Sequence, residues 1–358
     1  MKKSAWLPAV IAPVVVAGAV AAPMIANAAN DPIAGTNPTA ADVIASIAKS
    51  SDAQYSGKLT QSSDLGLPEL PTGSGGSSLE GDASEVLGLL TSSHTARVYV
   101  DGDSKQRIQL TQQLAEQDLV RNGSEVWTWD SKERTATHVT LPSDSAKAPQ
   151  DATTTPTDIA EQAVDAITPT TTVSKPTEVS VAGHDAWQIT LTPKSSDTLV
   201  GTVRLAVDQQ TGLPLRATIR AAGQDDPAVQ VGFTSLDYGA PAARLFDFTP
   251  PSNAKVTEKD LSDAEHDAHA EGDHARGAHD GDEPTFTGEG WGTIAELPAG
   301  TVDQSSLGDE AAGLLGQLTK AVDGGRAVQT SLVSVYLTDD GRVLAGAVPV
   351  SSLVAAAK

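Results

Sequence analysis

The chain has 358 residues, with 46 acidic against 24 basic side chains, and its formal charge of -22 excludes non-specific electrostatic binding to nucleic acid or to an anionic membrane. Hydrophobic residues make up 39% of the sequence, enough for a core, but aromatics only 4%, which is low for one. There is no cysteine, so a disulfide framework, a thiol nucleophile and a lipid-modified cysteine are all excluded.

Lys2 and Lys3 precede an Ala- and Val-rich run that ends at Ala26-Asn27-Ala28, a small-x-small cleavage pattern. Residues 1–28 therefore read as a secretory signal, and the chain as exported and extracytoplasmic (periplasm, envelope or medium) without a lipid anchor. The alternative is an uncleaved membrane anchor, against which Pro13 and Pro23 count.

Thr39 with Asp42 three residues on predicts a capped helix that places Val43, Ile44 and Ile47 on one face. "QYSGKLTQ" follows as a strand, then a Gly-, Pro- and Ser-rich loop, residues 62–78, carrying Leu65, Leu67 and Leu70. Those leucines are candidates for a lid, or for a loop packed on its own domain. A second short helix is expected behind Asp82 and Glu85.

From His94 the period becomes two. Val98 and Val100, then Ile108 and Leu110, alternate with polar residues, with Asp101-Gly102-Asp103 as a hairpin turn rather than a calcium loop. Asn122-Gly123 marks a further tight hairpin, followed by Trp127 and Trp129 on one strand face. The two tryptophans either fill a thin core or line a ligand cavity. After a Pro/Thr-rich break and a third short helix, five more strands carry Trp187, Ile189 and Leu191, Val203 and Leu205, then Val229, Val231 and Phe233 on one face. Gln188, Thr190, Arg204, Arg216, Arg220 and Gln230 occupy the other. The fold class is mainly β with added helices, an antiparallel sheet with one dry and one wet face.

Roughly ten strands at ~4.8 Å spacing make a sheet wider than three helices of ~10 Å can cover. Curling into an incomplete barrel removes part of the excess, and the small Ala, Val and Thr side chains leave either a packed interior or an apolar cavity. The fourteen residues Val98, Val100, Ile108, Leu110, Trp127, Trp129, Trp187, Ile189, Leu191, Val203, Leu205, Val229, Val231 and Phe233 are the candidate lining.

Val207 to Pro214 (Val-Asp-x-x-Thr-Gly-Leu-Pro) and Phe246 to Pro251 (Phe-x-Phe-x-x-Pro), in order with "QRIQL", "NGSEVWTWDSKERTATHVTLP" and "GHDAWQITLTP", resemble the LolA-like superfamily. Its members include lipoprotein carriers, mycobacterial lipid-binding lipoproteins and the large domain of RseB/MucB regulators. The resemblance spans residues 36–256 and implies an incomplete barrel closed by short helices over an apolar cavity for acyl chains. Residues 288–351, with "AELPAG" and "YLTDDGRVLAGAV", resemble more weakly the small α+β domain of the RseB/MucB kind. There a helix is expected over residues 308–322, followed by "AVQTSLVSVYL" pairing with "RVLAGAVPV" across Asp340-Gly341.

Between them, residues 257–287 hold His266, His269, His274 and His279 among acids and glycines. Zinc needs rigidly held ligands, so the segment reads as a tether and the four histidines as weak metal candidates only. No hydrolase, zincin or phosphate-loop signature is present, and no cofactor is implied. The expected function is to hold lipid or lipoprotein acyl chains. The alternatives are an envelope-stress or sigma-factor sensor that contacts a membrane-anchored regulator through the small domain, and a structural surface protein without ligand.

Overall fold

The computed structural model describes residues 37–66, 93–112, 115–141, 164–165, 167–260, 284–299, 316 and 318–358. The expected signal, the helix behind Asp82, Leu67, Leu70 and the four histidines of the tether lie outside them.

Thirteen strands form one large sheet. In chain order they are β1 (Gln54–Ser63), β2 (His94–Asp101), β3 (Lys105–Gln112), β4 (Ala115–Asn122), β5 (Glu125–Asp130), β6 (Thr135–Thr140), β7 (Thr171–Val173), β8 (Thr177–Val181), β9 (His184–Pro193), β10 (Val200–Asp208), β11 (Pro214–Ala221), β12 (Pro227–Tyr238) and β13 (Lys255–Asp260). Their spatial order is β13-β6-β5-β4-β3-β2-β1-β12-β11-β10-β9-β7, with β8 also on β9. Tight turns dictate most of these neighbours. At Asn122-Gly123, for example, Gly123 sits at φ 65°, a conformation with little cost only for glycine.

The sheet is not a closed barrel, but its far end curls. His184 Nε2 in β9 donates to the Leu236 carbonyl in β12, three strands away, at 2.9 Å. Val181, Ala186, Leu213, Leu215, Phe233 and Leu236 pack inside that curl. Helix α1 (Ala40–Lys49) starts with the expected capping box, Thr39 and Asp42 bonding each other's backbone N–H.

One expectation about this sheet is corrected. It is mixed, because β13 pairs parallel to β6. Its last strand in chain order, β13, ends at Asp260.

The second sheet contains β14 (Thr285–Thr287), β15 (Ile294–Leu297), β16 (Lys320–Val322), β17 (Gly325–Gln329), β18 (Ser334–Thr338) and β19 (Val343–Gly346), in the order β14-β15-β19-β18-β17-β16. The expected single strand "AVQTSLVSVYL" is two, because the Thr330 backbone N–H and hydroxyl both bond the Val333 carbonyl and turn the chain. Residues 320–322 are strand, not the end of a helix. A helix, α2 (Val350–Ala356), follows β19 and runs on past the expected boundary at 351. Its Leu353 fills a core with Ile294, Ala327, Tyr336, Leu344 and Val348.

Candidate functional site

Pairing register sorts every side chain of the large sheet onto one of two faces. Val98 lies opposite Ile108 and Ala96 opposite Leu110. Ile108 lies opposite Leu119, and Leu119 opposite Thr128. Toward the other edge, Leu59 faces Phe233, Val231 faces Ala217, Ala217 faces Leu205, and Leu205 faces Ile189. Twelve of the fourteen expected lining residues thus share one apolar face.

Trp127 and Trp129 do not. They lie opposite Val120 and Asp118, whose side chains project from the other side of β4. There Trp127 stacks on His138, ring centres 4.1 Å apart and planes within 8°, and meets Phe248 at 5.6 Å. The segment carrying Phe246 and Phe248 is strapped across this second face. The strap is held where Arg107 Nη1 donates to the Leu245 carbonyl (3.2 Å) while Nη2 pairs with Asp118 (2.7 Å). His138 donates to Glu258 of β13 at 2.7 Å and also bonds Glu125. Burial disfavours its charge, but the bonds to Glu258 and Glu125 prevail and raise its pKa above the ordinary 6.5.

The apolar face is covered unevenly. Over β9 and β10, α1 buries Val43 against Trp187, Ile189 and Val207, with Ile44, Ile47 and Leu205 beside them. The turn after β10 holds the helix in place. Asp208 Oδ1 accepts from the Gln210 and Thr211 backbone N–H groups (2.9 and 2.7 Å) and from the Thr211 hydroxyl (2.9 Å). Gly212 then passes so close under α1 that a Cβ would stand 2.0 Å from the Ser46 carbonyl oxygen. Across β2, β3 and β4 the face is half-open. Val98, Val100, Leu110 and Leu119 are partly exposed, and Ile108 is 38% exposed in mid-sheet.

Beside the start of α1, a cleft of about 720 Å³ is lined by Pro38, Ala40, Val164, Val173 and Trp187, with Lys175 and Lys194 also on it. That volume suits a small ligand. Of the expected lining residues only Trp187 reaches it.

The second sheet closes one end of the same face. Leu332 is buried among Val200, Ile219, Ala221 and Ala228, a cluster that also includes Val203, Val229 and Trp291. Polar links fix this junction. Leu199 N and Thr198 Oγ1 donate to the Ala347 carbonyl (both 2.8 Å), Ser331 N to the Leu65 carbonyl (2.8 Å), and Trp291 Nε1 to Thr171 Oγ1 (2.8 Å). Leu65 therefore belongs to the junction between the two sheets. Nothing in the sequence pattern of either unit signals this contact, because each of its residues also reads as ordinary strand or turn. Among the described residues no group of three or more His, Asp or Glu is arranged to hold a metal ion, and no helix is long and apolar enough to cross a membrane.

The large sheet is thus curled and open, with one apolar face capped by a helix and closed at one end by the second, smaller sheet. Residues 88–260 match the family model described as the MucB/RseB N-terminal domain. Among solved structures, the MucA/MucB complex of Pseudomonas aeruginosa is 16% identical over 87% of this chain and 95% of that one, with a TM-score of 0.43. A LolA superfamily protein from Nitrosomonas europaea is 11% identical over 59% of this chain and 98% of its own, with a TM-score of 0.24. No curated protein matches.

Proposed function

We propose that this chain is an exported protein that holds the acyl chains of a lipid or lipoprotein against the apolar face of its large sheet. The observation that carries the reading is the half-open strip around Ile108. There Val98, Ile108 and Leu119 stand in register on three adjacent strands, and water still reaches them. Each methylene laid on such a strip and removed from water contributes about 0.8 kcal/mol, so one long chain suffices for tight binding. The Trp187 cleft beside α1, with Lys175 and Lys194, suits the polar end of the same ligand.

Mass spectrometry of lipids that co-purify with the mature protein tests this directly, followed by titration with fluorescent acyl probes. Ile108→Arg should abolish saturable probe binding and leave the fold intact, because a partly exposed position tolerates charge. A delipidated, folded sample that binds no acyl probe would overturn the reading.

One observation favours a regulatory variant of it. Leu332 of the small unit packs in the same cluster as Val203 and Val229 of the apolar face, so a ligand that displaces those valines also disturbs the junction. MucB has been crystallised with MucA(peri). A comparable membrane-anchored regulator bound here would be released, or recruited, when the face is filled. Pull-down from membranes with and without acyl ligand distinguishes this sensor from a carrier, whose partners would not change.

A further inference from the structure

The polar face of β10, β11 and β12 carries an unneutralised group of cations. Along β11, Arg216, Thr218 and Arg220 point the same way, and Arg204 of β10 lies directly across from Thr218. With strands ~4.8 Å apart and same-face residues ~6.8 Å apart, the three guanidinium stems surround Thr218 within one lattice step. Thr218 is buried beneath them and directs its hydroxyl to Gln230 Oε1 at 3.3 Å. Gly232 lies opposite Arg216, and a Cβ there would come within 3.0 Å of Arg216 Cγ, so the missing side chain leaves room for the arginine stem.

Three observations bear on this group in a chain of charge -22. None of the three arginines forms an ion pair among the described residues, a state they share with Arg97, Arg121, Arg134, Arg244 and Arg326 but not with Arg107 and Arg342. The Nε atoms of Arg204 and Arg220, like that of Arg107, and Thr202 Oγ1 across from Arg220, are buried without any hydrogen-bond partner. Finally, the segments 58–62, 95–99, 202–206, 216–220 and 230–235, which lie side by side in the sheet, contain Lys58, Arg97 and these arginines but no carboxylate. Like charges so placed repel one another, and buried donors left unpaired are costly. An arrangement of that kind persists at functional sites because a ligand relieves it.

We propose that Arg204, Arg216 and Arg220 form a binding site for a phosphate-type dianion on the polar face of the large sheet. Guanidinium forks match phosphate oxygens two at a time, and three of them converge on more negative charge than one carboxylate carries. Thr202 supplies a further unpaired hydroxyl beside Arg220. The site lies on the side of the sheet away from Ile108, so it stands or falls independently of acyl binding. It is also a local exception to the overall acidic charge, which repels anions elsewhere on the surface.

The test is calorimetric titration of the full mature chain with inorganic phosphate, against sodium chloride at matched ionic strength. In parallel, the chain is co-sedimented with phosphatidylcholine vesicles with and without phosphatidic acid. Saturable, salt-weakened binding is expected in at least one arm. Phosphate alone assigns a free ligand, and phosphatidic acid vesicles alone assign a lipid headgroup. Arg204→Gln with Arg220→Gln should weaken binding at least tenfold. Arg216→Lys, which keeps the charge and loses the fork, should weaken it several-fold, and Lys58→Gln by less than twofold. Without ligand at low salt, the double variant should melt no lower than the parent, whereas arginines with a purely structural role would lower it. No saturable binding by the parent chain in either arm overturns the proposal whatever the variants do, and so does a folded double variant that binds as the parent does.

Discussion

Gly212→Ala and Gly123→Ala together isolate what holds α1 on the sheet. Both glycines have left-handed backbones, φ 73° and 65°. An alanine there carries a backbone penalty of about 1–2 kcal/mol wherever it stands. Around Gly123 a Cβ would meet nothing within 4 Å, so that penalty is the whole effect. At Gly212 the same atom would lie 2.0 Å from the Ser46 carbonyl oxygen and 2.6 Å from its carbon. Both are backbone atoms of α1, so no side chain can rotate away. Relief requires the helix to retreat by roughly an ångström or more, which opens the packing of Val43 on Trp187, Ile189 and Val207. Losing most of one buried aliphatic contact costs about 2–3 kcal/mol, so the total at Gly212 should be about 3–5 kcal/mol. Urea denaturation of both variants measures the difference. Trp187 emission, read in a background with the other described tryptophans replaced by Phe, should shift toward water only in Gly212→Ala. Equal destabilisation of the two variants within about 0.5 kcal/mol would refute the docking argument.

Leu332→Ala should remove about 2–4 kcal/mol of packing between the small sheet and the large one, and calorimetry should then resolve two transitions. A single unchanged transition would mean that the polar links alone hold the junction. His138 ties β13 to β6 and β5 through Glu258 and Glu125, and its folded pKa lies above 6.5. Its contribution is therefore complete below pH 6.5 and disappears as pH rises through the higher folded value. The stability gap between parent and His138→Gln should be largest below pH 6.5 and shrink as pH rises above it; a constant gap would assign His138 to packing on Trp127 alone. Brominated acyl chains should quench Trp187 and leave Trp127 and Trp129 unaffected. Strong quenching of that pair would place the ligand on the strap side.

Most strands and all of the tight turns named above are legible in the sequence, since alternation and turn residues are local properties. Faces are legible where apolar and polar residues alternate cleanly, as in Trp187-Gln188-Ile189-Thr190-Leu191. They are not legible in Val126-Trp127-Thr128-Trp129, where the bulky residues suggest the core side and the small ones the outside. Register settles it, and the information was within reach. The two-residue turn pairs Asn122 with Glu125, which sets Leu119 against Thr128 and Val120 against Trp127. Leu119 in turn faces Ile108, so Thr128 belongs with the apolar face and the tryptophans cannot.

What counting cannot supply is the cover. A wet face is usually left to solvent, and the Phe246–Phe248 strap with β13 overturns that at one end of the sheet by a long-range return of the chain. Trp127, half-buried, packs in that second, smaller layer against His138 and Phe248, and Trp129 projects from the same side of β5. Further along the same face no described strand or strap returns, and among the described residues Arg204, Arg216 and Arg220 form no ion pair with an acid. The two sides of one sheet thus carry different unfinished business: apolar area around Ile108 that water still touches, and unpaired cations around Thr218. A purely structural sheet would have resolved both with ordinary substitutions, a polar residue at 108 and a glutamate near 218. That neither is present is the strongest sequence-level argument that each side meets a ligand.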